Sequence, residues 1–173
     1  MVTKPDADAA DNDRMTEPYR CNEDLIDDQI RWTLATLRGQ PILEELAEIA
    51  DRVQATRMAQ VLFPMLALEA RFTLSESEIR VLWLLLAHEL DPAARALLRE
   101  RSTEQTSDVT FDVIRNVVYG PRARARTWRE LGPEGKLRSL ALIERTDGAG
   151  EAPEQRQTFK LARRVLALAY GEL

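Results

Sequence analysis

The chain has one cysteine, one histidine and no apolar run of bilayer length, and each shortage removes a class of function. Cys21 alone cannot close an internal disulfide, so nothing points to an oxidising compartment. It sits in an acidic, polar stretch with no histidine near it in sequence, which leaves it without the partner a reactive thiolate needs. His88 cannot assemble a zinc site by itself, and no HExxH pattern surrounds it; a place at the end of a buried helix suits it better. The longest apolar stretch, Val81 to Ala87, falls far short of the ~20 residues that span a bilayer. Residues 1 to 13 are acidic and carry no apolar run, which excludes a signal peptide and makes the cytoplasm the expected location. No metal, cofactor or membrane partner is expected.

What is present is the balance of a globular protein: 45% hydrophobic and 31% charged residues in a chain of 173, enough for one domain with a core plus appendages. The net charge of -5 weighs against a surface that is electropositive all over.

Residues 1 to 23 read as a disordered acidic tail. A first helix is expected over about 24 to 38, with Gly39 as C-cap; a second begins near Pro41, and Pro64 interrupts it. Together these make a helical hairpin over residues 24 to 72. Ser75 and Glu78 stand at capping-box spacing ahead of a helix that is apolar almost all round, and Asp91-Pro92 opens another. After a polar loop over 101 to 108, Asp108 or Thr110 opens a helix carrying Phe111, Ile114, Val117 and Val118 to Gly120-Pro121. Further helices are expected over about 122 to 130 and around Leu137. Ile143 to Thr146 and Gln157 to Leu161 then read as a short β-hairpin about a turn-rich connector, before a last helix from Ala162 to Tyr170. Helices followed by a hairpin give the order of a winged helix-turn-helix over residues 73 to 171, so the expected fold is mainly α with one small β-hairpin.

Catalytic machinery is not legible. Gly132-Pro133-Glu134-Gly135-Lys136-Leu137 contains a Gly-Lys pair, but its spacing is not that of a P-loop, Leu replaces the hydroxyl residue and Pro removes a donor. Glu44 with Glu45 and Glu76 with Glu78 are pairs in sequence only, suited to solvated faces and caps. No nucleophile, base and orienting group can be brought together, and no enzyme is expected. One charge feature opposes the acidic total: Arg122, Arg124, Arg126 and Arg129, joined by Lys136 and Arg138, with Trp128 among them. These are the candidate contacts to a partner. If the partner were DNA, Glu134 to Leu142 would be the recognition helix, but Glu134, Glu144, Glu151 and Glu154 surround it and its wing with the wrong charge. A protein partner suits the arginines and the tryptophan better.

The run Phe72-Thr73-Leu74-Ser75-Glu76-Ser77-Glu78, then Val81 to Ala87 and Glu89-Leu90-Asp91-Pro92, resembles the winged-helix domain that precedes the ATPase module in bacterial AAA+ proteins. Several of these are encoded with contractile, phage-tail-like injection systems. Thr110-Phe111, Leu137-Arg138, Leu142-Ile143 and Val165 to Gly171 extend the resemblance over about residues 40 to 171. It implies a regulatory or adaptor domain whose partners are an AAA+ ATPase module, in cis or in trans, and injection-system components. A DNA-binding regulator is the alternative. Family members continue into an AAA+ domain where this chain stops, so it is expected to be an excised or stand-alone amino-terminal domain.

Overall fold

The computed structural model describes residues 16–39, 43–102, 106, 108–147 and 153–172. The acidic run of residues 1–15, and the connector residues 148–152 that carry Glu151, lie outside them. Helices α1 (Asn22–Arg38), α2 (Leu43–Met58), α3 (Pro64–Arg71), α4 (Glu76–Leu90) and α5 (Pro92–Arg101) come first. The local signals act as expected. Gly39 is left-handed at φ 67° and closes α1. Pro64 opens α3 at its first turn, so the apolar stripe that begins in α2 resumes on a separate helix. Ser75 and Glu78 form a reciprocal capping box on α4, and Asp91 accepts from the Ala94 N–H at the start of α5.

α4 is the central element. Val81 to Ala87 are all buried, because α1 and α5 cover it on one side and the sheet and later helices on the other. α1 contributes Leu25, Ile26 and Leu37 to the same apolar cluster, so the expected hairpin and the second half share one core. α2 is carried more loosely, with only Ile49 and Thr56 buried.

The second half has β1 (Val109–Thr110), α6 (Phe111–Ile114) running into a π-helical turn over Arg115–Tyr119, α7 (Arg124–Leu131), α8 (Lys136–Ser139), β2 (Ile143–Arg145), β3 (Thr158–Leu161) and α9 (Arg163–Ala169). The strands form an antiparallel sheet in the order β1-β3-β2, with Val109 opposite Phe159 and Ile143 opposite Leu161. Three helical segments fall between β1 and β2, and a connector joins β2 to β3, the arrangement of a winged helix. A third strand therefore accompanies the expected hairpin. Thr110 ends β1 and, through its hydroxyl, caps α6.

Two expectations need correction. Residues 16–23 are not tail: Tyr19 is buried, its N–H donates to Thr56 Oγ1 at 2.9 Å and its hydroxyl to Asp28 Oδ2 at 2.9 Å. Asp28 is buried too and also receives Arg52 at 2.7 Å and Arg31 at 3.0 Å, so one carboxylate ties this segment, α1 and α2 together. The second correction concerns the expected helix around Leu137. It is a single turn, Lys136–Ser139, because Ala141 turns left-handed at φ 48° and Leu142 N–H bonds back to Leu137 O. Arg164 donates to Leu140 O and Ala141 O, satisfying carbonyls that the short helix leaves over.

Candidate functional site

α7 carries most of the basic residues singled out in the sequence. Thr127 and Leu131 are its buried positions, and Arg122, Arg124, Ala125, Arg126, Trp128 and Arg129 are exposed. At 3.6 residues per turn, Ala125 and Arg129 point away from the buried Thr127 and Leu131, Arg126 and Trp128 flank them on either side, and Arg122 stands in the turn that precedes the helix.

Arg124 and Arg126 face inward partners. Arg124 makes a two-pronged contact with Glu154, Nη2 to Oε2 at 2.8 Å and Nε to Oε1 at 3.3 Å, which pins the short 3₁₀ turn of the wing to α7. Arg126 reaches the other way: Nε to Glu130 Oε1 at 3.1 Å and Nη2 to Ser77 Oγ at 2.7 Å. Glu130 also accepts from Ser77 Oγ at 2.7 Å and from the Tyr119 hydroxyl at 2.8 Å. Burial pushes its carboxyl up, but these donors outweigh burial and hold it below the ordinary carboxylate range. Burial, then the Glu130 contact, drives the Tyr119 hydroxyl far above its usual value. The start of α4, the π turn and α7 are thereby locked as one unit.

The two residues on α8 differ. Lys136 Nζ donates to Thr73 O at 2.7 Å, capping a left-handed turn before α4. Arg138 is half-buried; burial and then the charge of Arg145 hold its guanidinium below the ordinary value, with Asp147 opposing. The structure thus divides the predicted set. Arg124, Arg126 and Lys136 are engaged within the fold, while Arg122, Arg129 and the half-buried Arg138 form no ion pair or hydrogen bond among the described residues. Beside Arg129 lies Trp128, 42% exposed, its ring tilted against buried Phe111 with centroids 6.2 Å apart. Of the other tryptophans, Trp83 is fully buried and Trp32 half-buried.

The Gly132-to-Lys136 stretch shows why its glycines are there. A Cβ on Gly135 would stand 2.2 Å from Glu130 O, and one on Gly132 2.5 Å from Trp128 O. These glycines let the chain cross the carboxyl end of α7. Cys21 stands at the N-cap position of α1 and has its thiol raised: the Asp24 N–H lowers it, but desolvation and neighbouring Asp24 and Glu23 raise it more, the opposite of an activated thiolate. His88 ends α4, its Nδ1 3.7 Å from Glu89 Oε1. No group of three metal-ligating side chains occurs among the described residues, and no helix there is long and apolar enough to cross a membrane.

Sequence reasoning missed two features. One is Ser77, which carries no signal beyond its place in the helix start. The other is a pair of clefts between α1 and α4 around Trp32 and Arg80. A family model described as "Winged helix domain, variant" matches residues 41–171. No curated protein and no solved structure matches the chain significantly.

Proposed function

The chain belongs to the winged helix domain, variant, family, and from that premise we propose that it is a non-catalytic docking module whose contact surface is the outward face of α7. The observation that carries this reading is the division of the arginines. A winged helix that grips duplex DNA needs cations projecting from its recognition helix and wing toward phosphate. Here Arg124 is tied to Glu154 of the wing and Arg126 to Glu130, so those charges are answered inside the protein. On α7 and the turn before it Arg122, Trp128 and Arg129 remain, an aromatic anchor beside arginines, which is the composition of a protein-protein hot spot. The single-turn α8 is too short to lie along a major groove.

The partner follows from the sequence resemblance: an AAA+ ATPase module, linked in cis or supplied in trans, with injection-system components as further partners in the cytoplasm. Docking there would recruit the ATPase or help order its ring. Calorimetric titration of the chain against such a module tests this. Trp128→Ala and Arg129→Glu should each weaken binding by about tenfold or more, as hot-spot residues do. Unchanged affinity in both variants would move the contact off α7, and no binding by the unaltered chain would remove the ATPase as partner.

A second reading is a DNA-binding regulator. Arg122 and Arg129, exposed and unpaired among the described residues, favour it, and a titration of duplex DNA across a salt series decides it.

A further inference from the structure

Two clefts, of about 190 and 260 Å³, open between α1 and α4 and meet at Trp32, Glu76 and Arg80. The Arg80 guanidinium lies over the Trp32 indole, 3.7 Å from the ring centroid. Its Nη1, the amine on the Cδ side, donates to Gln29 Oε1 at 3.0 Å. Stacking and this hydrogen bond fix the plane and the rotation of the group. Nε is buried with no hydrogen-bond partner, and Arg80 forms no ion pair among the described residues. The edge left unanswered, Nε–H with Nη2–H, is the two-pronged edge with which arginine grips a carboxylate.

A partly buried cation with an unanswered edge is costly, because desolvation is not repaid by a counter-charge. The nearby carboxylates do not repay it. Glu69 is held by Arg57 at 2.7 Å and by the Trp83 indole N–H at 3.0 Å. Glu76, one turn before Arg80 on α4, lines both clefts but is exposed and lies beyond ion-pair distance. Apolar side chains flank the edge on both sides, Val53, Leu66 and Ile79 in one cleft and Leu84, Val117 and Val118 in the other.

We propose that the Nε/Nη2 edge of Arg80, held on Trp32 by Gln29, is a binding site for one carboxylate whose apolar neighbours enter the flanking clefts. The carboxylate comes either from an acidic residue of a peptide lying across α1 and α4 or from a small free carboxylate. The site is separate from α7, so Trp128→Ala and Arg129→Glu leave it unchanged, and the two claims fail independently.

The test follows the Arg80 Nε–H and Trp32 indole N–H resonances of the ¹⁵N-labelled full chain during titration with acetyl-Leu-Glu-Leu-amide, acetyl-Leu-Gln-Leu-amide and glutarate. The site predicts saturable shifts of both resonances with the Glu peptide or with glutarate and none with the Gln peptide; whichever of the two binds tighter names the source. Arg80→Lys, which keeps the charge but loses the fork, should weaken binding about tenfold or more. Glu76→Gln, which removes an exposed carboxylate that lines both clefts, should strengthen it severalfold, and this exposed substitution keeps the test informative if Arg80→Lys does not fold. Failure of both carboxylates to shift the Arg80 resonance, in the unaltered chain and in Glu76→Gln, overturns the proposal. Equal shifts from the Gln and Glu peptides overturn it as well.

Discussion

Glu69 and Gly135 show how much rests on single side chains. Burial drives the Glu69 carboxyl above its ordinary range, while the Trp83 N–H and Arg57 pull it back only in part. The folded protein therefore holds this proton more tightly than the unfolded chain. Stability contributed by the protonated form is present below the ordinary carboxylate value and is lost as pH rises from there through the raised folded value. Glu69→Gln keeps an acceptor for Trp83 and should flatten that part of the stability-against-pH curve; denaturant midpoints measured across the acid range will show an unchanged slope if the assignment is wrong. Gly135→Ala should destabilise by about 2–3 kcal/mol, since its Cβ would meet backbone rather than a movable side chain. Gly39→Ala, where the φ is positive but the space open, should cost only about 1 kcal/mol. Equal losses in urea titrations of the two variants would show that the crossing over α7 is not tight.

Among the elements, α7 depends on contacts far from it in sequence. Ser77 donates to Glu130 and accepts from Arg126, so Ser77→Ala should destabilise by about 1.5 kcal/mol, the scale of hydrogen bonds to charged groups. It should also loosen α7 locally, seen as faster amide exchange over 124 to 131; exchange confined to α4 would contradict the lock. This dependence marks where the sequence was readable. Ser75, Pro64, Pro92, Gly39 and the apolar run of α4 act through neighbours within a turn, and each was legible. β1 was not, because two residues show no alternation and pair only with β3. The π turn after Ile114 and the left-handed Ala141 carry no residue signal, so α8 reads longer than it is. The basic residues of the candidate site were all legible as charges. Apart from Arg126 with Glu130, four residues on in the same helix, their pairing was not, because Glu154, Ser77 and Thr73 lie 30, 49 and 63 residues from the cations they engage. The Arg80 edge was illegible for the same reason: Trp32 and Gln29 meet it from another helix.

Across the whole molecule, the net charge of -5 and the internal pairing of α7 point in one direction. On the proposed docking reading, the charges left outside would serve a protein with an acidic, partly apolar face rather than a polyanion. The measurement that tests this most directly is fluorescence anisotropy of labelled mixed-sequence duplex DNA with the full chain, between about 50 and 200 mM salt. Arg122→Ala/Arg129→Ala and Arg124→Ala/Arg126→Ala would be run beside it. The docking account predicts no binding tighter than about 100 µM even at the lowest salt, in all three proteins. Micromolar binding that falls steeply with salt and is lost in Arg122→Ala/Arg129→Ala would contradict it and make α7 a nucleic-acid contact.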